Sequence, residues 1–105
     1  SPGERSKKPV AKALKINPRD NVAVLLDEIR SGETVDVATG SEVIHIQARQ
    51  EIAFGHKIAL ANLDADQPII KYGEEIGRAR TAIGAGDWIH LHNLYCRRGH
   101  EDRAE

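Results

Sequence analysis

Apolar residues along this chain come in short runs broken roughly every 8–15 residues by Gly, Asn, Asp or Pro. Ala13-Leu-Lys-Ile16 gives way to Asn17-Pro18 and Asp20-Asn21, Val22-Ala-Val-Leu-Leu26 leads to Ser31-Gly32, and Thr34-Val-Asp-Val37 stops at Thr39-Gly40-Ser41. Val43-Ile-His-Ile46 precedes a loop around Gly55, and Lys57-Ile-Ala-Leu60 ends near Asn62-Leu-Asp64. Ile69-Ile-Lys-Tyr72 halts at Gly73, and Trp88-Ile-His-Leu-His92 follows Gly84-Ala-Gly86. Runs of about five residues rich in Val and Ile, set between turn formers, predict a small all-β fold. Two short helical turns are expected beside the strands. One is Asp27-Glu-Ile-Arg30; the other is Glu74-Glu-Ile-Gly-Arg-Ala-Arg80, where Gly77 counts against anything longer. No internal repeat or low-complexity segment is evident.

The same pattern divides the chain. Residues 1–12 hold Pro2, Gly3 and Pro9 among basic side chains and bury too little to offset ordering entropy, so a disordered basic arm is expected there. The folded unit is placed at 13–96, and 97–105 is a polar tail containing His100. The arm reads as a solvated tail rather than a phosphate-binding device, because its basic run is short.

Composition narrows the picture. At 105 residues the chain fits one domain with one modest core, burying about 65% of its unfolded-chain surface. Aromatic residues are only 4% of the chain, so the core must be aliphatic and a large aromatic-lined pocket is not expected. A net charge of -1 argues against a nucleic-acid surface. The single cysteine, Cys96, excludes an internal disulfide and a multi-cysteine zinc site. With no apolar run near the ~18 residues a membrane span needs, no membrane association is expected and the chain reads as cytoplasmic.

The segment Gly86-Asp-Trp-Ile-His-Leu-His-Asn93 is the richest in candidate chemistry. On a strand, Ile89 and Leu91 share one face and Trp88, His90 and His92 the other. With the aliphatic face inward, His90 and His92 stand together outside the core, a geometry suited to chelating a metal. A hydrogen-bonded or solvated pair on an exposed face is the alternative. In Phe54-Gly-His-Lys57, Gly55 permits a tight turn. That puts His56, whose ordinary pKa suits proton transfer, and Lys57, a point charge for a carboxylate, at the lip of a strand. Lys71 and Tyr72 end a strand before Gly73; Lys71 can reach an anion, and Tyr72 either donates a hydrogen bond or packs half-buried. His45, between core-facing Ile44 and Ile46, reads as exposed. Gly84-Ala-Gly86 precedes a strand rather than a helix, so it is no phosphate cradle.

Four of these strings occur in an order that resembles a known family: Asp20-Asn-Val-Ala-Val24, Gly55-His-Lys-Ile-Ala-Leu60, Lys71-Tyr-Gly73 with Ile76-Gly77, and His90-x-His-Asn93. The chain resembles, over about residues 13–95, the SAF domain of altronate and galactarate dehydratases, to which the small subunit of sulfolactate sulfo-lyase is related. Asp64-Ala-Asp-Gln-Pro68 departs from a turn that usually holds glycine, and Ala53 stands where proline is frequent. The resemblance implies a β-clip fold like the antifreeze-like domain of sialic acid synthases. It also implies a place at the front of, or as a small subunit beside, a larger catalytic part that removes water or sulfite from a hydroxy acid. A divalent metal is implied, iron(II) first and manganese(II) as an alternative. His90, His92 and His56 would then be metal ligands or proton-transfer groups, Lys57 and Lys71 would hold the substrate carboxylate or hydroxyls, and Tyr72 and Asn93 would donate hydrogen bonds.

On this reading the domain is inert alone and completes a site with its large partner. Two alternatives have different consequences. A non-catalytic carbohydrate- or anion-binding module would bind hydroxy acids without metal. A structural module organising homo-oligomers would tolerate loss of its histidines.

Overall fold

A computed structural model of the chain describes residues 10–96. The arm through residue 9 and the tail from residue 97, with His100, lie outside the described residues. The regular elements are all strands: β1 (Ala11–Leu14), β2 (Val22–Leu25), β3 (Thr34–Thr39), β4 (Glu42–Gln47), β5 (Lys57–Ala59), β6 (Pro68–Lys71), β7 (Glu74–Ala79), β8 (Trp88–Ile89) and β9 (Leu94–Tyr95). They form a six-stranded sheet, ordered β4-β3-β1-β2-β5-β8, and a three-stranded sheet, β6-β7-β9. β1 runs parallel to β3 and antiparallel to β2. Among the described residues no helix is long and apolar enough to cross a membrane.

Each sheet needs a covered face, and alternation along β2 and β5 supplies two cores. Ala23, Leu25 and Ile58 enter the first with Ile29, Val35, Val37 and Ile52. Val22 and Ala59 enter the second with Leu63, Ile69, Ile83 and Ile89. A strand that feeds apolar side chains to both faces reads as a continuous run rather than an alternating one, which is the pattern of Val22–Leu25. Each fully buried Ile or Leu adds roughly 1.5–3 kcal/mol. The cores contain no Phe or Tyr.

Several expectations are corrected. Neither helix candidate is helical: Glu74–Ala79 is β7, and Ile29 forms a bridge with Ile52. Gly77, read as a weak point of a helix, is where β9 crosses closely; a Cβ there would lie 2.7 Å from the Tyr95 carbonyl oxygen. The boundary at residue 13 falls inside β1, because Ala11 and Lys12 pair with Val35 and Asp36. Ile44 shares the face of its core partner Val37 but stays exposed, since β4 is an edge strand and only Ile46 reaches the first core. Tyr72 lies in the turn after β6 rather than at a strand end, and is exposed.

Polar side chains join the two sheets. Asn21 Nδ2 donates to the Pro68 carbonyl at 3.0 Å, and its Oδ1 accepts from Ile70 N–H at 2.8 Å. Buried Asp20 accepts from Gly73 N–H at 2.8 Å and Asn17 N–H at 3.0 Å. The Asp20-Asn21 pair therefore has a structural task.

A turn is used four times, a repeat hidden by dissimilar residues. Ile29-Arg-Ser-Gly-Glu33, Ile52-Ala-Phe-Gly-His56, Leu63-Asp-Ala-Asp-Gln67 and Ile83-Gly-Ala-Gly-Asp87 each begin with a buried aliphatic anchor. The anchors pair as Ile29 with Ile52 and Leu63 with Ile83. The fourth residue has a positive φ in each: 90° at Gly32, 85° at Gly55, 69° at Asp66 and 93° at Gly86. The fifth residue's N–H donates to the second residue's carbonyl at 3.0–3.2 Å. With only the second central residue left-handed, these are type II turns. Asp66 takes the glycine role, and its carboxylate receives the Tyr95 hydroxyl.

Candidate functional site

In three of the four turns the fifth side chain closes the turn on itself. Glu33 Oε1 accepts from Arg30 N–H at 3.0 Å, Gln67 Oε1 from Asp64 N–H at 2.9 Å, and Asp87 Oδ2 from Gly84 N–H at 2.7 Å. The remaining turn has His56 at that position. Its ring turns to Trp88 instead, accepting the indole Nε1–H at Nδ1 over 3.2 Å. Within the described residues Ala53 N–H lacks the side-chain acceptor that its counterparts have.

His56 is thereby drawn into a ring cluster. Its centroid lies 5.6 Å from that of Trp88 and 5.2 Å from that of His90. His90 stacks on Trp88 at 5.3 Å with 10° between planes, and His92 lies 5.0 Å from Trp88 at 46°. Trp88 is itself positioned by packing on the first core and by Gln50 Oε1, which accepts its backbone N–H at 2.8 Å. The ring nitrogens of His90 and His92 make no hydrogen bond within the described residues.

The geometry differs from the expected strand. β8 ends at Ile89 and the chain turns over His90–Asn93, so Leu91, expected in the core with Ile89, is 71% exposed. Asn93 makes this turn: Oδ1 accepts from His90 N–H at 3.0 Å and Nδ2 donates to the Trp88 carbonyl at 2.9 Å. Buried and so engaged, Asn93 positions the imidazoles. Phe54, in the turn that carries His56, is 68% exposed. Each of the two imidazole-bearing turns thus presents a large apolar side chain to the outside.

Lys57, Lys71 and Tyr72 form a second group. Lys57 sits half-buried on β5 opposite Val24 and Ile89. Burial first, and then the nearby Lys71 charge, lower its pKa from the ordinary 10.5. The Lys71 ammonium lies 4.7 Å from the Tyr72 ring centroid. Tyr72 holds φ 58° beside Gly73 at 77°, the two left-handed residues of a type I′ hairpin turn. A bulky side chain is uncommon in that conformation. None of the ring contacts links this group to the imidazoles.

Among the described residues no group of three or more His, Cys, Asp or Glu side chains converges to hold a metal ion. His90 and His92 each lie against the Trp88 ring, and no third side chain joins them to hold a metal ion within the described residues. His45 is exposed and bonded through Nδ1 to Asp36 Oδ1 at 2.8 Å, away from the cluster. A cleft of about 220 Å³ lined by Lys15, Ile16, Asn17, Pro18, Thr39 and Gly40 includes none of the expected site residues. Sequence reasoning missed Trp88 as a bonding partner and Gln50 as its support. The Trp88-x-His90 spacing was the available signal for the former.

Comparison with known proteins agrees with the resemblance. Residues 11–97 match the family described as the altronate/galactarate dehydratase SAF domain. The chain is 40% identical over 80 residues to altronate dehydratase of Bacillus subtilis (strain 168), covering 76% of this chain and 15% of that protein. It is 36% identical over 85 residues to galactarate dehydratase (L-threo-forming) of Escherichia coli (strain K12), covering 81% of this chain and 15% of that one. It is also 34% identical over 62 residues to the (2R)-sulfolactate sulfo-lyase subunit alpha of Paracoccus pantotrophus, covering 59% of this chain and 92% of that subunit. The chain therefore spans about 15% of the length of its dehydratase relatives and nearly all of a separate small subunit.

Proposed function

The chain belongs to the altronate/galactarate dehydratase SAF domain family, and from that premise we propose that it completes the active site of a cytoplasmic hydroxy-acid lyase whose larger part lies elsewhere. The observation that carries this reading is the ring cluster. His90 and His92 keep ring nitrogens free of hydrogen bonds within the described residues, and the turns around them expose Phe54 and Leu91. Exposed apolar side chains beside unpaired polar groups are suited to burial against a second polypeptide surface.

Removing water or sulfite from a hydroxy acid needs a base for the proton next to the carboxylate and assistance to the departing group. A divalent metal, iron(II) or manganese(II), would supply that assistance as a Lewis acid when bound, with His90 and His92 as this chain's donors to it. Lys57 and Lys71 hold the acid end of the substrate; a carboxylate there offsets the burial and the Lys71 charge that lower the Lys57 pKa. Tyr72, exposed beside Lys71, offers its hydroxyl as a hydrogen-bond donor.

The test is turnover of a sugar acid by the full enzyme, or by both subunits mixed. The His90→Ala/His92→Ala double variant should lose on the order of a hundredfold or more in kcat. Unchanged turnover in that variant, or in a mixture lacking this chain, overturns the reading. A second reading draws on the described residues, which bring no three metal donors together: a binding module that recognises hydroxy acids without metal. Isothermal titration separates the two, since metal-independent binding of a hydroxy acid to this chain alone supports the module.

A further inference from the structure

We infer that Trp88 sets the tautomer of His56, and that His56 acts as a hydrogen-bond donor through Nε2–H to an oxygen of the bound hydroxy acid instead of binding metal. The inference deepens the lyase reading and rests on it for the identity of the acceptor.

The argument is one of donors and lone pairs. An indole nitrogen can only donate. Trp88 Nε1–H is directed at His56 Nδ1 at 3.2 Å, so Nδ1 must present its lone pair. A neutral imidazole carries one ring proton, which therefore sits on Nε2. Both ring nitrogens are then committed, one as acceptor and one as donor, and no lone pair is left for a cation. Metal-ligating histidines show the opposite arrangement, donating their second N–H to a carboxylate, carbonyl or water. His90 and His92 meet no such donor within the described residues, so the three imidazoles divide into two that can ligate and one that can donate.

Two further observations agree. His56 is released from the turn-closing task that Glu33, Gln67 and Asp87 perform. Trp88 in turn is held on three sides, by the first core, by Gln50 Oε1 on its backbone N–H, and by the stacked His90 ring. A donor held this firmly suits a positioning residue.

The experiment is long-range proton–nitrogen NMR of the histidine rings in the full 105-residue chain, at a pH where they are neutral. His56 should show the Nε2–H pattern in the native chain and a mixture of tautomers in Trp88→Phe, which keeps an aromatic surface and removes the donor. Zinc(II) added alone should move the ring nitrogens of His90 or His92 and leave the His56 pattern unchanged. An Nδ1–H pattern at His56 in the native chain overturns the inference, as does a metal-bound shift at either His56 nitrogen. The native spectrum decides even where Trp88→Phe does not fold. The lyase reading stands or falls separately, on turnover of the His90/His92 variant.

Discussion

The turns at Ala53–His56 and Gly84–Asp87 share a backbone and differ in what their last residue does. Both follow a buried isoleucine, place a glycine at φ 85° or 93°, and lead into neighbouring strands β5 and β8. Asp87 turns back onto Gly84 N–H and also meets Arg49 Nε at 3.4 Å, so its carboxylate is spent on structure. His56 leaves its own turn open and reaches across to Trp88. Where one architecture recurs, the copy that gives up a stabilising contact points to the residue with another task. A protein can retain such a local loss when the position carries function.

The glycines offer the largest expected effect. A side chain at Gly86 would run into the Gln47 carbonyl oxygen and the Arg49 side chain, whereas Gly55 has nothing within 4 Å of the equivalent position. Gly55→Ala should cost about 1–2 kcal/mol, the left-handed penalty alone. Gly86→Ala should cost clearly more, or prevent folding, by urea denaturation. Equal costs would mean the two turns are not packed differently.

Exchanging the closing residues comes next. Asp87→Ala strands the Gly84 N–H and should cost about 1–3 kcal/mol. His56→Asp restores the closing group to its own turn and should leave the chain at least as stable, while turnover in the full enzyme falls on the order of a hundredfold. Full activity in that variant would remove the functional meaning of the open turn. Asn93→Ala, which loses both bonds shaping the His90–Asn93 turn, should cost about 1–2 kcal/mol and broaden the His90 and His92 ring resonances.

The smallest effect belongs to the lysine group. With its pKa lowered, Lys57 binds fewer protons folded than unfolded between its lowered value and 10.5, so native stability rises with pH across that window. Lys57→Met should flatten this rise and slightly raise stability at neutral pH. A slope unchanged by Lys57→Met would place the proton uptake elsewhere.

Much of the molecule was legible in its residues. The β-rich class followed from short Val- and Ile-rich runs between turn formers, and Gly55-His-Lys57, Lys71-Tyr-Gly73 and His90-x-His-Asn93 marked the positions that gather into the imidazole and lysine groups. Less visible were the jobs. Period-two alternation assumes that a strand continues, and nothing in Trp88-Ile-His-Leu-His92 shows that it ends after two residues. That ending is made by Asn93, whose amide competes locally with sheet pairing.

Residue type alone determined which groups can donate, accept or carry charge, because those capacities belong to the side chain wherever it stands. Only the tertiary structure decided how they are used. Asp20, Asn21 and Asn93 are consumed by backbone groups up to 53 residues away in sequence, and His56 meets the indole of a residue 32 positions on. Local pattern records the periodicity of neighbours along the chain, while a hydrogen bond between distant segments exists only once both strands have been paired and their faces packed.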